Sequence, residues 1–470
     1  MPENTTSPTP ASQASVSVSP GGPIRGQIRP PGSKSLTNRA LICAAMADAK
    51  STLTGALRSE DTEVMIESLR RCGVTVEVLD AGRTIEIDGS TRRSDSESSH
   101  ELYIANSGTS VRFLTAALSA AGGQYRLHGV DRMHQRPIAD LVDALAKVQL
   151  GEIKTESPGG CPPVLIRSEG WSEKPVQVGG SVSSQYLSGL MMAAPIALDV
   201  RMRQRSRAVS EAGTDKIQID VIGELVSRPY VEMTASVMRS FGSNVEIEEI
   251  GAAVTDSVSL RVNVFGGGYQ GVRYAIEPDA SAASYFWAAA AITGGEVTVL
   301  GLTPDAMQGD VGFCLVLEQM GCKYRFDSEG MTISGRAARG VDVDMNQISD
   351  TVQTLAVVAL FADGPTRVRG VAHNRFKETD RIGDLATELR KLGATVVEHE
   401  DGLTIHPPTG GVTPAVLETY HDHRMAMSLS LAGLSADGVR VLNPSCTGKT
   451  YPEFFADLER LIGRPHSWAH

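Results

Sequence analysis

Near the C-terminal end, the run Asn374-Arg375-Phe376-Lys377-Glu378-Thr379-Asp380-Arg381 sets two bases on either side of a carboxylate. Lys377 and Arg381 can hold an anion, and Glu378 between them can move a proton. Ile382, Leu385, Leu389 and Leu392 then recur at helical spacing and stop at Gly393, which predicts a helix entered near Thr379 as its N-cap. The helix dipole disfavours cations at that end. Two bases beside free backbone N–H groups therefore suggest an anion site. Taken alone, the run is better explained as a solvated, salt-bridged helix start. The number of similar junctions elsewhere decides between the two.

The first of these is Pro31-Gly32-Ser33-Lys34-Ser35, a Gly/Ser loop opening into a helix predicted over 36–47. Backbone N–H groups, two hydroxyls and the Lys34 ammonium can converge on one anion there, with Arg39 one turn beyond Ser35. It is not a nucleotide P-loop, which needs G-x-x-x-x-G-K-[ST]. Gly32 is followed by Ser33, and the near miss at Gly448-Lys449-Thr450 has Asn443 where the first glycine belongs. Asn106 to Arg112 makes another glycine-containing turn, with Gly108 and Thr109, into a helix over 113–121. Arg136 precedes Pro137 at a helix entrance. Ser183, Ser184 and Gln185 offer neutral groups suited to a phosphate or a polyol, and Ser227 and Tyr230 give a weaker signal of the same kind.

In the second half, Asp350 stands just before a helix over 351–360, His423 and Arg424 open another helix, and Lys449 precedes one over 452–461. His421 and His423 are too sparse a pair for a metal site, and Cys446 has no base beside it, so neither a metal nor a covalent nucleophile is expected. Lys34, Arg39, Arg112, Arg136, Lys377, Arg381, Arg424 and Lys449 thus come from both halves of the chain. Such a like-charge set is tolerable when a ligand brings compensating negative charge. A site between two domains for two anions, such as phosphates, fits best, with Asp350 and Glu378 as proton-transfer groups.

The surrounding elements must hold these loops together. At 470 residues the chain exceeds what one core serves, so two domains are expected. Its net charge of −11 argues against a nucleic-acid binder and makes each basic cluster a local feature of an acidic protein. Six cysteines without a metal-ligand or C-x-x-C pattern read as reduced thiols in a cytoplasmic protein. No apolar run is long enough to span a membrane. Residues 1–19, rich in Ser, Thr and Pro with no arginine before Arg25, read as a disordered tail rather than a signal or transit segment.

One unit repeats through the rest: strand, polar loop, amphipathic helix, glycine stop, strand. The stops are Gly73, Gly151, Gly242, Gly321, Gly393 and Gly463, each expected in the left-handed conformation after a helix. Spacings of roughly seventy to ninety residues suit βαβ-type units rather than a solenoid. Six units in two sets of three give two similar domains, with the break near 273–278.

The motifs P-G-S-K-S-x-x-N-R-A from Pro31 and N-R-x-K-E-T-D-R from Asn374 resemble those of the 5-enolpyruvylshikimate-3-phosphate synthases. The stretches at Asn106, Ser183 to Gln185, Asp350, Asp422 to Arg424 and Cys446 to Thr450 follow in the family order, so the resemblance covers about residues 20–465. It implies an α/β fold of two similar domains, each of three βαβ-like units around parallel helices. This inverse α/β prism has a six-fold internal repeat, a chain that crosses twice, and an active site in the interdomain cleft. The implied boundaries are 33–276 for one domain and 20–32 with 277–470 for the other.

The resemblance also implies the substrates, shikimate 3-phosphate and phosphoenolpyruvate, with no cofactor, and a monomer. Ser35, Arg39, Ser183, Ser184, Gln185, Ser227, Tyr230, Asp350, Asn374 and Lys377 would hold the former. Lys34, Gly108, Thr109, Arg136, Gln185, Arg381, Arg424 and Lys449 would hold the latter, while Asp350, Glu378 and Lys34 would act in catalysis. Ser107 stands where one branch of the family has Ala, but Gly108 is kept, so the inhibitor glyphosate is expected to fit beside it. The sister enzyme acting on UDP-N-acetylglucosamine would have Asn at position 35 and a loop cysteine near 131–137, neither of which is present. A degenerate anion-binding protein would be expected to lose its acids, and Asp350 and Glu378 are both kept.

Overall fold

Six helices are buried along most or all of their length and lack the polar face that a surface helix needs: Lys34–Met46, Gly108–Ala121, Ser184–Arg207 up to its charged last turns, Ala280–Thr293, Val352–Ala359 and His423–Ser430. A helix apolar all round must be enclosed. Every residue from Ala280 to Ile292 is buried, as is every residue from Gly108 to Ala120. Six amphipathic helices lie outside them: Glu60–Arg71, Ala139–Ala146, Pro229–Ser240, Phe313–Gln319, Gly383–Lys391 and Phe454–Ile462. These relations come from a computed structural model that describes residues 14–92, 99–181, 183–207, 216–251 and 257–469.

Strands complete the units. The described residues form six four-stranded sheets with one pattern, a parallel pair followed by two antiparallel neighbours. In one of them, Ser99–Tyr103 runs parallel to Gly123–His128 with an inner helix between them, as a parallel pair requires. The outer helix Ala139–Ala146 then leads into the hairpin of Gln149–Ser157 and Cys161–Trp171.

Two sheets exchange their first strands, and this links the halves. Arg25–Ile28 pairs with Glu296–Leu300, after which the chain crosses to the inner helix Lys34–Met46. Arg273–Ala275 pairs with Lys50–Thr54, after which the chain crosses back to Ala280–Thr293. The two crossings run side by side, with Ser33 N donating to Glu277 O and Asp279 N to Pro31 O, both at 2.8 Å. Gly32 is needed there because a Cβ would lie 1.9 Å from Gly55 O. One buried apolar cluster draws on residues 36–276, and the other on residues 16–28 and 280–462.

Two expectations need correction. Ser15–Ser17 is a strand, although the tail was expected to run through residue 19; residues 1–13 lie outside the described residues. It sits between Val439–Leu442 and Ser467–Ala469, filling the hairpin position of the sixth sheet. Its serine-rich composition hid a period of two, which buries Val16 and Val18. Gly151 is not a helix stop either. Its φ is +122°, but it lies within Gln149–Ser157 at a register shift, where a Cβ would meet Arg167 O at 2.2 Å. The other five glycines do follow helix ends with positive φ.

Val16→Asp would bury an unpaired carboxylate at the centre of the sixth sheet. It should cost about 3 kcal/mol or more in denaturant unfolding. An unchanged midpoint would contradict the placement of that strand.

Candidate active site

The inner helices begin where the halves meet, so their free N–H groups and first side chains face one cleft. The segment before Gly383–Lys391 enters from the second half. That helix starts later than the N-cap expected at Thr379. Asp380 caps it instead, its Oδ1 accepting from Ile382 N at 3.0 Å and Gly383 N at 3.1 Å, while Thr379 donates to Asp384. Lys377, Glu378 and Arg381 therefore lie on a bend ahead of the helix, and Arg381 N is held by Asn374 O at 3.2 Å.

Glu378 is the meeting point. Its Oε1 accepts from Lys449 Nζ at 2.9 Å and lies 3.7 Å from Arg136 Nη2, and its Oε2 accepts from Arg381 Nη2 at 2.8 Å. Burial alone would raise its pKa, but the charges of Lys449, Arg381 and Arg136 outweigh burial and hold the carboxyl well below its usual range. Asp350 is built the same way. Its Oδ2 accepts from Arg424 Nη2 at 2.6 Å and Tyr230 OH at 3.2 Å, and its Oδ1 accepts from Arg381 Nη1 at 3.2 Å. Burial opposes its ionisation, but Arg424, Lys377, Arg381 and Lys34 prevail.

Arg381 also donates to both oxygens of Asp422, from Nε at 2.7 Å and Nη2 at 3.2 Å. Lys449 and Arg136 converge on Asn106 O, at 3.0 and 2.9 Å, which ties the first half to the second. Ser227 does likewise. It holds φ +53°, an uncommon conformation for serine, with its N donating to Asn346 Oδ1 at 3.0 Å and its hydroxyl 3.3 Å from His373 Nε2. Burial and the Lys377 charge keep His373 neutral, with a pKa lowered to about 3.

Lys34 lies 3.4 Å from Asp61, and Ser35 lines a small crevice with Ser33, Tyr230 and Asp310. Gly108 packs so close to the cations that a Cβ would meet Arg136 Nη2 at 2.5 Å. Thr109 Oγ1 accepts from Gln185 Nε2 at 3.4 Å, and Arg112 donates to Gln185 Oε1 at 2.6 Å. Ser183 Oγ accepts from Gln185 N at 3.3 Å, with Ser184 buried at the helix start. Asn374 donates to Ser349 O at 3.0 Å, and its buried Oδ1 has no hydrogen-bond partner among the described residues. Arg39 stands apart from the open cleft. Its nitrogens donate to Thr234, Ser35 O, Ser188 and Tyr230 O, and its guanidinium stacks on Phe113 at 5.1 Å.

Lys377 makes no salt bridge among the described residues. Burial, reinforced by Arg381 and Arg112 against Asp350 and Glu378, lowers its pKa to about 8. His423, almost wholly buried, has no hydrogen-bond partner for either ring nitrogen among the described residues, its Nδ1 lying 3.8 Å from Asp422 Oδ1, and burial followed by the Lys34 and Arg424 charges keeps it neutral. Within the ion-pair network itself, the cations Lys34, Arg136, Arg381, Arg424 and Lys449 outnumber the acids Asp61, Asp350, Glu378 and Asp422, and Lys377 adds a further cation beside them. That excess can take up anions and stabilise developing negative charge. Asp61 and Asp422 were missed as partners by sequence reasoning. Their only signals were an acidic first helical turn and an N-cap beside His423.

The sequence profile of the EPSP synthase (3-phosphoshikimate 1-carboxyvinyltransferase) family matches residues 18–458. The chain is 42% identical over 454 residues to the chloroplastic 3-phosphoshikimate 1-carboxyvinyltransferase of Brassica napus, covering 93% of this chain and 83% of that protein. It is 42% identical to the enzyme so named from Paraburkholderia phytofirmans, covering 95% and 99%. The solved EPSP synthase of Acinetobacter baumannii superposes with a TM-score of 0.74 at 25% identity, covering 98% of this chain and 100% of that one.

Asp422→Ala would leave part of the buried Arg381 charge uncompensated and remove a helix cap. Unfolding stability should fall by about 3 kcal/mol, and an unchanged unfolding curve would show that Arg381 does not depend on this carboxylate.

Proposed function

The chain belongs to the EPSP synthase (3-phosphoshikimate 1-carboxyvinyltransferase) family, and from that premise we propose how its cleft performs the family reaction. The enzyme transfers the enolpyruvyl group of phosphoenolpyruvate to the 5-hydroxyl of shikimate 3-phosphate and releases phosphate. A proton adds to the methylene carbon of phosphoenolpyruvate, and the 5-hydroxyl oxygen bonds to the neighbouring carbon and gives up its proton. The resulting methyl group then returns a proton as the carbon–oxygen bond to phosphate breaks. The observation that carries this reading is the pair of cation-bound carboxylates in the cleft, Glu378 held by Lys449 and Arg381 from its own half and Arg136 from the other, and Asp350 held by Arg381 and Arg424.

Lys34, Arg136, Arg381, Arg424 and Lys449, with Gly108, Thr109 and Gln185, hold phosphoenolpyruvate in this reading. Lys377 and Ser183, Ser184, Gln185, Ser227, Tyr230, Ser35, Asn374 and Asp350 hold shikimate 3-phosphate, over a floor braced by Arg39. Fixed cations position both anions and stabilise charge as the leaving phosphate forms. Glu378 is a carboxylate in the free enzyme and takes up, as the substrates bind, the proton that the methylene carbon receives. When substrate anions share Lys449, Arg381 and Arg136, the field on Glu378 weakens and its pKa climbs, so the same carboxyl can carry the proton back. Asp350 serves as the second proton-transfer group, with Lys34 assisting. A cytoplasmic monomer is the assembly we assign, a placement consistent with six unpaired cysteines.

Phosphate release from phosphoenolpyruvate, with a chelator present, should require shikimate 3-phosphate and not occur with UDP-N-acetylglucosamine. Release with the sugar nucleotide alone would overturn the assignment. In the same assay Glu378→Gln should lose turnover by about a hundredfold or more while still binding shikimate 3-phosphate, and normal turnover would remove Glu378 from the mechanism.

Lys377 adds a pH signature. Binding an anion favours its protonated form, so above about pH 8 the free enzyme must take up a proton to bind. Calorimetry should show the Kd for shikimate 3-phosphate rising towards tenfold per pH unit above that point. The rise should be absent in Lys377→Arg, whose guanidinium stays charged. A flat wild-type profile would contradict the role given to Lys377.

A further inference from the structure

Most of the segment around Glu378 is anchored within its own half. Asn374 O receives Arg381 N, Arg375 Nη1 donates to Asp380 Oδ2 at 2.8 Å, and Asp380 caps the following helix. The apex is different. Among the described residues, the carbonyls of Lys377 and Glu378 accept from no backbone N–H. Their partner comes across the cleft: Arg132 Nε donates to Glu378 O at 3.2 Å, and its Nη2 donates to Lys377 O at 3.3 Å. Arg132 Nη1 donates to Gln135 Oε1 at 3.3 Å, so the guanidinium is braced by its own loop, and each of its nitrogens has a protein partner. That loop also carries Arg136, which faces the Glu378 carboxylate.

We propose that Arg132 is a positioning residue that sets the Glu378 carboxylate as the halves close, by fixing the backbone on which Glu378 and Lys377 stand. This rests on the reading of Glu378 as a proton-transfer group. Two carbonyls gripped by one planar fork define both the position and the tilt of the peptide between them. Without that grip, the carboxylate is steered by long side chains alone. A displacement near 1 Å at such a group can cost about a hundredfold in rate. Because the grip spans the cleft, it forms only on closure, so proton transfer is coupled to a shut, water-poor site.

The test is Arg132→Ala, Arg132→Lys, Glu378→Gln and the double variant Arg132→Ala/Glu378→Gln. Steady-state turnover, the Kd for shikimate 3-phosphate and the Tm are measured for each. Arg132→Ala should lower kcat by about 10- to 100-fold, with a much smaller change in Kd and an unchanged Tm. Arg132→Lys should recover part of the loss, since one ammonium can reach one carbonyl. In the double variant the losses should be less than multiplicative, because no proton-transfer group is left to misplace. Fully multiplicative losses, or a Tm and Kd that collapse together with kcat, would overturn the proposal. Normal turnover in Arg132→Ala beside a disabled Glu378→Gln would overturn this inference alone. Normal turnover in Glu378→Gln would overturn the underlying reading and this inference with it.

Discussion

Two buried carboxylates, Glu378 and Asp350, make the site possible. Each has guanidinium or ammonium groups within 4 Å, and one of those around Glu378, Arg136, comes from the half of the chain that does not carry the carboxylate. Without those negative charges the gathered cations would repel one another in a medium that screens poorly. With them the cluster is stable yet still carries excess positive charge. That balance leaves a site that holds itself together and still calls for anions, which suits a reaction between two phosphorylated, carboxylated molecules.

The fold supplies this geometry by an economical rule. Helices without polar faces must be enclosed, and six of them form the two interiors, four between paired parallel strands and two, Lys34–Met46 and Ala280–Thr293, linking strands of different sheets. Their starts carry Lys34, Gly108, Ser184, Ser281, Val352 and Arg424 or lie next to Asp350, so one packing rule delivers backbone N–H groups and functional side chains to one face. The exchange of strands Arg25–Ile28 and Arg273–Ala275 ties the two halves by paired crossings beside Lys34 and Asp279. The connection between the halves therefore lies next to the site.

Much of this was legible in the sequence because anion-binding loops need particular residues at particular spacings. Gly32 and Gly108 stand where side chains would collide, and bases at helix starts conflict with the dipole unless a ligand compensates. Other features were hidden because they depend on distant partners. The Ser15–Ser17 strand is too short and too serine-rich to announce itself, and its place is fixed by strands more than 400 residues away. Gly151 shares the helix-stop pattern but serves a bulge, since the helix before it ends at Ala146. The start at Gly383 reflects Asp380 outcompeting Thr379 as a cap. Asp61 and Asp422 read as ordinary helix-start acids until the fold brings Lys34 and Arg381 to them.

The site depends on Glu378 being ionised in the free enzyme although its side chain is almost enclosed. Infrared difference spectra of the wild type against Glu378→Gln, taken across neutral pH, read that charge directly. The account predicts a carboxylate signal from Glu378 and no protonated-carboxyl band for it anywhere in the neutral range. A protonated-carboxyl band that titrates near neutrality would show that the surrounding cations do not govern this residue, and the electrostatic basis of the site would fail.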